Sequence, residues 1–115
     1  MGIDFSHCDA HWAYPEFMQF RSRLAKEIGV EIMEMEGFIE NGRRWRSLPP
    51  DPIIGLLFHS DCDGELSPEE CERIAPRLRE LVSKWPDDDY DKMNALDLAI
   101  GMETAACAFE PLRFT

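Results

Sequence analysis

The sequence has no long hydrophobic run. No stretch approaches the roughly 20 apolar residues that a helix needs to cross a bilayer, and residues 1–4 have neither the charged nor the apolar region of a secretion signal. Enzyme signatures are also missing, since there is no Gly-rich phosphate loop, nucleophile elbow or HExxH pattern. These absences predict a cytoplasmic protein without membrane contact and favour a non-enzymatic function.

Basic residues are scarce. The 115 residues include 12 Lys and Arg against 23 Asp and Glu, a net charge of −11, and residues 51–115 hold 15 of the acidic but only 6 of the basic side chains. Such a field repels nucleic-acid phosphate and acidic membrane and favours cations or basic protein surfaces. We therefore expect no direct contact with nucleic acid. An alternative is a nucleic-acid mimic, whose carboxylates occupy a DNA-binding protein.

Cysteine is scarce as well. The chain has four, at wide and uneven spacings: Cys8, Cys62, Cys71 and Cys107. Without a secretory context they are expected to be free thiols. A neighbouring imidazole, from His7 or His11, would lower the pKa of the Cys8 thiol as in a catalytic nucleophile, but no other feature supports catalysis.

What the sequence does contain is helical periodicity. Apolar residues spaced three and four apart, with proline near each start or glycine or proline near each end, predict three longer helices over residues 15–29, 67–85 and 90–110. Pro76 should kink or split the second helix. The third has apolar residues on both faces and is expected to be largely buried.

Strands are expected only at the ends of the chain. Residues 2–6 and 111–115 alternate apolar and polar side chains, which predicts two short strands that pair with each other. Asn41-Gly42 predicts the turn of a small hairpin. The predicted fold is therefore mainly α (α+β), one domain over residues 1–115 with a ribbon joining the termini. An all-helical bundle is the alternative.

Residues 59–70 form an acidic loop between a short apolar helix, which starts at Asp51-Pro52, and the helix that starts at Ser67-Pro68. This loop resembles an EF-hand. The third, fifth, sixth, eighth and twelfth positions of the twelve-residue loop match, and they are Asp61, Asp63, Gly64, Leu66 and Glu70. His59 stands first, where that family has an aspartate.

The resemblance implies a calcium site. Its oxygen ligands would be the carboxylates, one main-chain carbonyl and one hydroxyl of these residues: Asp61, Asp63, Glu65, Ser67 and Glu70. A metal-free turn is the alternative, because a serine three residues before a glutamate also satisfies the capping box of a helix start.

Zinc is a second metal alternative. Two Cys/His pairs with a spacing of three, far apart in the chain, make a four-ligand set: Cys8, His11, His59 and Cys62. Three runs, His59–Gly64, Arg73–Leu78 and Trp85–Tyr90, also resemble those of small uncharacterised proteins of actinobacteria and their phages, a resemblance that would extend over most of the chain. That resemblance implies a single small cytosolic domain.

The only basic cluster surrounds a tryptophan: Arg43, Arg44, Trp45 and Arg46. Arginine and tryptophan are enriched at the centres of protein interfaces, so this cluster predicts a partner-binding site. Its alternative is a solvated loop whose arginines pair with the acidic half of the chain. The leading functional prediction is a non-enzymatic acidic module that binds another protein. A metal-binding protein using the 59–70 loop comes second.

Overall fold

The architecture is described by a computed structural model over residues 2–59 and 64–115. The α-helices there are α1 (Tyr14–Glu27), α2 (Ile54–Leu57), α3 (Pro68–Val82) and α4 (Tyr90–Cys107). The strands are β1 (Gly2–Asp4), β2 (His11–Ala13), β3 (Glu65–Leu66) and β4 (Leu112–Arg113). They form two antiparallel pairs, β1 with β2 and β3 with β4. The predicted α+β class is confirmed. None of the described helices combines the length and apolar character that would let it cross a bilayer.

Helix α1 follows the prediction closely. Pro15 lies in its first turn, where no main-chain donor is needed. Phe17, Phe20 and Leu24 recur at helical spacing and are completely buried. Gly29 follows the helix with a φ of +76°, a conformation that glycine adopts without strain. Local pattern alone therefore determines this element.

The two ends of the chain meet, as predicted, but at one residue pair. Phe5 and Phe114 form an isolated antiparallel bridge, flanked by hydrogen bonds from Ser6 N–H to Arg113 O (3.0 Å) and from Thr115 N–H to Asp4 O (2.8 Å). The strands on either side take other partners. A long terminal ribbon does not form, because β1 pairs with β2 and β4 pairs with β3.

Strands were expected only at the ends of the chain, and that prediction misses His11–Ala13, which is strand β2, paired with β1. The cause is Trp12, which is completely buried and stacks on Phe20 with 4.4 Å between ring centroids. Burial of so large an aromatic ring stabilises a strand that the surrounding polar residues conceal.

The predicted hairpin around Asn41-Gly42 is also wrong. Asn41 does turn the chain, with a φ of +58°, but residues 35–42 coil into successive turns and Met35 meets Arg43 in a single parallel bridge. A side chain on Gly42 would lie 2.4 Å from the Met35 carbonyl carbon. The glycine is therefore needed for close approach of two main-chain segments.

Helices α3 and α4 form the main helix–helix contact. Helix α3 runs continuously through Pro76, so the predicted split does not occur. At the start of α4 the Asp89 carboxylate accepts the Lys92 N–H (3.0 Å) as an N-cap. The described buried side chains form one cluster. The radius of gyration, 13.3 Å, matches the value of about 13 Å for a compact chain of this length.

Helix α4 was expected to be largely buried, but one of its apolar faces is exposed. Leu98, Ala99 and Met102 are completely buried, but Met93 and Ile100 are 57% and 50% exposed. Only one of the two apolar faces is covered by other described residues.

The thiols should differ in reactivity. Burial raises the pKa of the Cys71 thiol to about 11, whereas Cys107 is exposed. Because alkylation requires an accessible thiolate, iodoacetamide at pH 8 should modify Cys107 first and Cys71 only after unfolding, with half-buried Cys8 between them. Peptide mass spectrometry over time measures this order. Rapid labelling of Cys71 in the folded protein would contradict the packing of α3.

Candidate partner-binding site and the acidic corner

The segment Arg43–Arg46 presents three exposed arginines around one buried ring. Arg43, Arg44 and Arg46 are exposed, but Trp45 is only 4% exposed. The Trp45 indole N–H donates to the Glu36 carbonyl (3.2 Å), and its main-chain N–H donates to the Glu36 carboxylate (2.7 Å). Trp45 therefore fixes the position of the segment, and the arginines form its accessible surface.

The three arginines of this segment form no ion pair with other described residues. Across residues 2–59 and 64–115, the structure shows no ion pair for Arg43, Arg44 or Arg46. The nearest polar contact is a long hydrogen bond from Arg43 Nε to Ser47 Oγ (3.3 Å). The described residues therefore do not show the alternative arrangement, in which these arginines pair with carboxylates of residues 51–115.

A cleft of about 400 Å³ lies beside this segment, between the turn at Trp45, helix α2 and the first half of α3. Trp45, Ile54 and Ile74 provide an apolar wall. Gly55 has no side chain to fill the floor, where an added Cβ would lie 3.3 Å from Ile74 Cδ1. The cleft is thus apolar inside and open at its rim.

Four charged residues line the rim: Arg46, Asp51, Glu70 and Arg73. Asp51 is already neutralised, because its carboxylate accepts two-pronged hydrogen bonds from Arg77 (2.9 and 3.1 Å) as well as the Ile53 N–H. The carboxylates of Asp51 and Glu80 raise the pKa of Arg77 above its ordinary value, so this guanidinium stays charged. It is not available to a ligand.

Glu70 is also engaged. Its carboxylate accepts the Ser67 N–H (3.0 Å) while Ser67 Oγ accepts the Glu70 N–H (3.1 Å). The predicted capping box is confirmed. It places the Glu70 charge at the positive end of α3, which favours a carboxylate there. Arg46 and Arg73 are exposed and have no ion pair within the described part of the chain, so they are the two unpaired cations of the rim.

Residues 59–70, which we call the corner, connect α2 to α3. Gly64 has a φ of +97°, a conformation that favours glycine. The His59 imidazole donates from Nε2 to the Glu65 carbonyl (3.0 Å) and stacks on Phe114 at 4.0 Å. Among the predicted calcium ligands, the Glu65 carbonyl, Ser67 and Glu70 are thus hydrogen-bonded within the protein. Asp61 and Asp63 lie outside the described residues.

The predicted zinc ligands are dispersed where they are described. Cys8 packs against Gly101 of α4, and His11 Nδ1 contacts the Asp4 carboxylate (2.8 Å). No group of three or more metal-binding side chains forms within residues 2–59 and 64–115. Because Cys62 lies outside these ranges, the set of Cys8, His11, His59 and Cys62 stays a prediction.

The thiol of Cys8 is not activated. Burial raises its pKa, with the charges of Asp97 and Asp9 acting in the same direction. The neighbouring imidazole of His7 instead bridges Ser6 Oγ (2.6 Å) and the Glu110 carboxylate (3.0 Å), close to where the termini meet. A raised pKa is the opposite of what a nucleophilic cysteine needs.

Sequence reasoning missed Arg73 and the pairing of Asp51 with Arg77. The sequence does indicate that Arg73 lies beside Glu70, because residues three apart on a helix are neighbours. The approach of α3 to the arginine segment had no local signal, since the two elements are far apart in the chain.

Comparisons with known proteins give short, partial similarity. No family model and no solved structure matches the chain. A protein of Chloroflexus aurantiacus named "Putative glutamate--cysteine ligase 2" is 33% identical over 67 residues, which is 57% of this chain and 17% of that protein. The protein of the same name from Chloroflexus aggregans matches to the same extent. The matched stretch thus covers about a sixth of the length of these relatives.

The corner should be stable without metal because its helix start is capped internally. Ser67→Ala should lower the free energy of unfolding by about 1 kcal/mol, equally in calcium and in EDTA. Ser83→Ala, at the other end of α3, is the matched control and should cost less than about 0.5 kcal/mol. Urea denaturation measures both. A loss for Ser67→Ala that occurs only with calcium would show that the hydroxyl serves a metal.

Proposed function

We propose that this chain is a non-enzymatic, acidic protein-binding module that contacts its partner through Arg43, Arg44 and Arg46. The observation that carries the proposal is three exposed, adjacent arginines without ion pairs in the described part of a chain of net charge −11. Three arginines outside this segment, Arg23, Arg77 and Arg79, are paired with carboxylates. Arg23 contacts Asp89 and Asp91, and Arg79 contacts Glu103.

The segment is also held rigidly, which favours binding. Its main chain bonds to that of residues 34–36, through Arg43 N–H to Glu34 O (2.9 Å) and Glu36 N–H to Arg43 O (2.9 Å). Trp45 lies behind it in the core. A surface whose backbone is already ordered loses less conformational entropy when a partner binds. The three guanidinium groups, each with several donors, suit carboxylates on that partner.

The proposed location is the cytoplasm. Cys71 is a free thiol buried in the core, a state that a reducing compartment preserves. The ligase relatives do not bear on this proposal, because the matched stretch is only 17% of their length.

Reversing the charge of the segment should abolish partner binding without unfolding the protein. Proteins retained by the immobilised wild-type chain from a lysate of its source organism are identified by mass spectrometry. Arg44→Glu/Arg46→Glu should then reduce capture of the specific partner at least tenfold, because opposed carboxylates repel. The melting temperature should stay within a few degrees, since these side chains are exposed.

The matched control is Lys26→Glu/Lys84→Glu, which changes the net charge equally at two other exposed cations. It should leave capture unchanged. Equal loss in both variants would mean that overall charge, not this segment, governs binding. Full capture by the arginine variant would overturn the proposal.

A metal site in the corner is the second candidate, supported by Gly64, whose positive φ is suited to the sharp turn at the sixth position of an EF-hand loop. The proposed ion is Ca²⁺, or Zn²⁺ with the Cys and His set. A ligand at 100 times its Kd stabilises a protein by about 2.7 kcal/mol, which is roughly 10 °C in melting temperature for a domain of this size.

Metal removal tests this candidate. If the site exists, the melting temperature should rise by roughly that amount in millimolar calcium and fall in EDTA. Asp61→Asn/Asp63→Asn should remove the shift, because it removes two of the anionic ligands. An unchanged melting temperature with calcium, zinc and chelator would eliminate the metal function.

A further inference from the structure

The cleft beside Trp45 extends the proposed partner surface inward. We infer that it binds a short acidic peptide segment of the partner, one large apolar side chain entering the cleft and the flanking carboxylates pairing with Arg46 and Arg73. This inference rests on the proposed function and adds what that function leaves open: the chemistry of the partner and a second contact element, helix α3.

The interior of the cleft selects for an apolar group. Its volume of about 400 Å³ lies within the range of about 300–1,000 Å³ that ligand pockets occupy. Ile54 and Ile74 face it together with Trp45, and Pro52 completes the apolar lining. An aliphatic or aromatic side chain that enters would displace water from this wall, which is the main source of affinity at small sites.

Gly55 supplies the space. It lies within the four-residue helix α2, where glycine is less favourable than alanine by roughly 1 kcal/mol. A Cβ there would crowd Ile74 Cδ1 at 3.3 Å and lie 3.7 Å from Glu70 Oε2. A side chain at position 55 would therefore occupy the floor of the cleft.

The rim selects for carboxylates. Of its charged groups, Asp51 is neutralised by Arg77 and the Glu70 carboxylate is held by the N-terminal cap of α3. Arg46 and Arg73 are exposed and both line the cleft. Unpaired cations beside an apolar cleft are complementary to a segment that alternates acidic and apolar residues.

A peptide fits this charge distribution better than nucleic acid does. The surrounding chain is strongly acidic, with 15 Asp and Glu in residues 51–115. A continuous phosphate backbone would be repelled outside the two arginines. The Glu70 carboxylate, which also lines the cleft, disfavours a second negative charge inside it. The occupant is therefore apolar at its centre and acidic only at its flanks.

The test is an NMR titration of the ¹⁵N-labelled full chain with two blocked pentapeptides, Glu-Asp-Leu-Asp-Glu and Glu-Asp-Ser-Asp-Glu. The leucine peptide should give saturable shifts at the Trp45 indole N–H and at the Gly55 and Ile74 amides. The serine peptide should bind at least fivefold more weakly, because it places no apolar group in the cleft. A nucleic-acid site would instead be revealed by tighter binding of a single-stranded oligonucleotide at the same amides, which would overturn the inference.

Two variants locate the contacts. Arg73→Glu should raise the Kd of the leucine peptide at least tenfold. Gly55→Ala should weaken the leucine peptide more than the serine peptide, because it fills the floor. Lys84→Glu is the control for charge and should change the Kd less than twofold. Equal affinity of the two peptides, or shifts that map away from the cleft, would overturn the inference.

The same variants separate this inference from the proposed function. If Arg44→Glu/Arg46→Glu abolishes capture of the partner but Arg73→Glu and Gly55→Ala do not, the arginine segment is the partner site and the cleft is not part of it. If none of these variants affects capture, the proposed function itself fails.

Discussion

The buried guanidinium of Arg21 holds together the parts of the fold on which both candidate sites depend. It is 3% exposed and donates to the main-chain carbonyls of Leu57 and His59. It also lies over the rings of Phe17 (4.8 Å) and Phe38 (5.7 Å). A charge is retained in a core only where such partners compensate for lost hydration. This one cation thereby positions the end of α2, the start of the corner and the turn before the arginine segment relative to α1.

The distribution of the other cations follows from how few there are. With 12 basic against 23 acidic residues, the chain has carboxylates available for every arginine. Arg23 and Arg77 each contact two carboxylates, and Arg23 in addition lies 3.8 Å above the Trp85 ring. Exposed ion pairs contribute little stability. The arginine segment, Arg73 and Arg113 are exposed without such contacts among the described residues, so their guanidinium groups are accessible to an external ligand.

The sequence predicts those elements that depend on neighbours along the chain. Helix α1 and the capping box at Ser67 and Glu70 were both predictable, because each uses contacts between neighbours along the chain. The β-pairings were only partly predictable, and the burial of Trp12 and Trp45 was not. Their partners lie in distant segments, and aromatic side chains suit interfaces and cores equally. The cleft was not predictable at all, since three separate elements form it.

Glu70 links the two candidate functions physically. The same carboxylate was assigned to a calcium site by sequence and is found capping α3 and lining the cleft. A metal ion ligated by Glu70 would withdraw it from the Ser67 N–H and from the cleft wall, and so remove the charge that opposes an acidic ligand. Binding at the two sites would then be coupled, and the coupling free energy would be the same measured from either ligand. If both proposed functions exist, they would not be independent, because the Glu70 side chain would serve both.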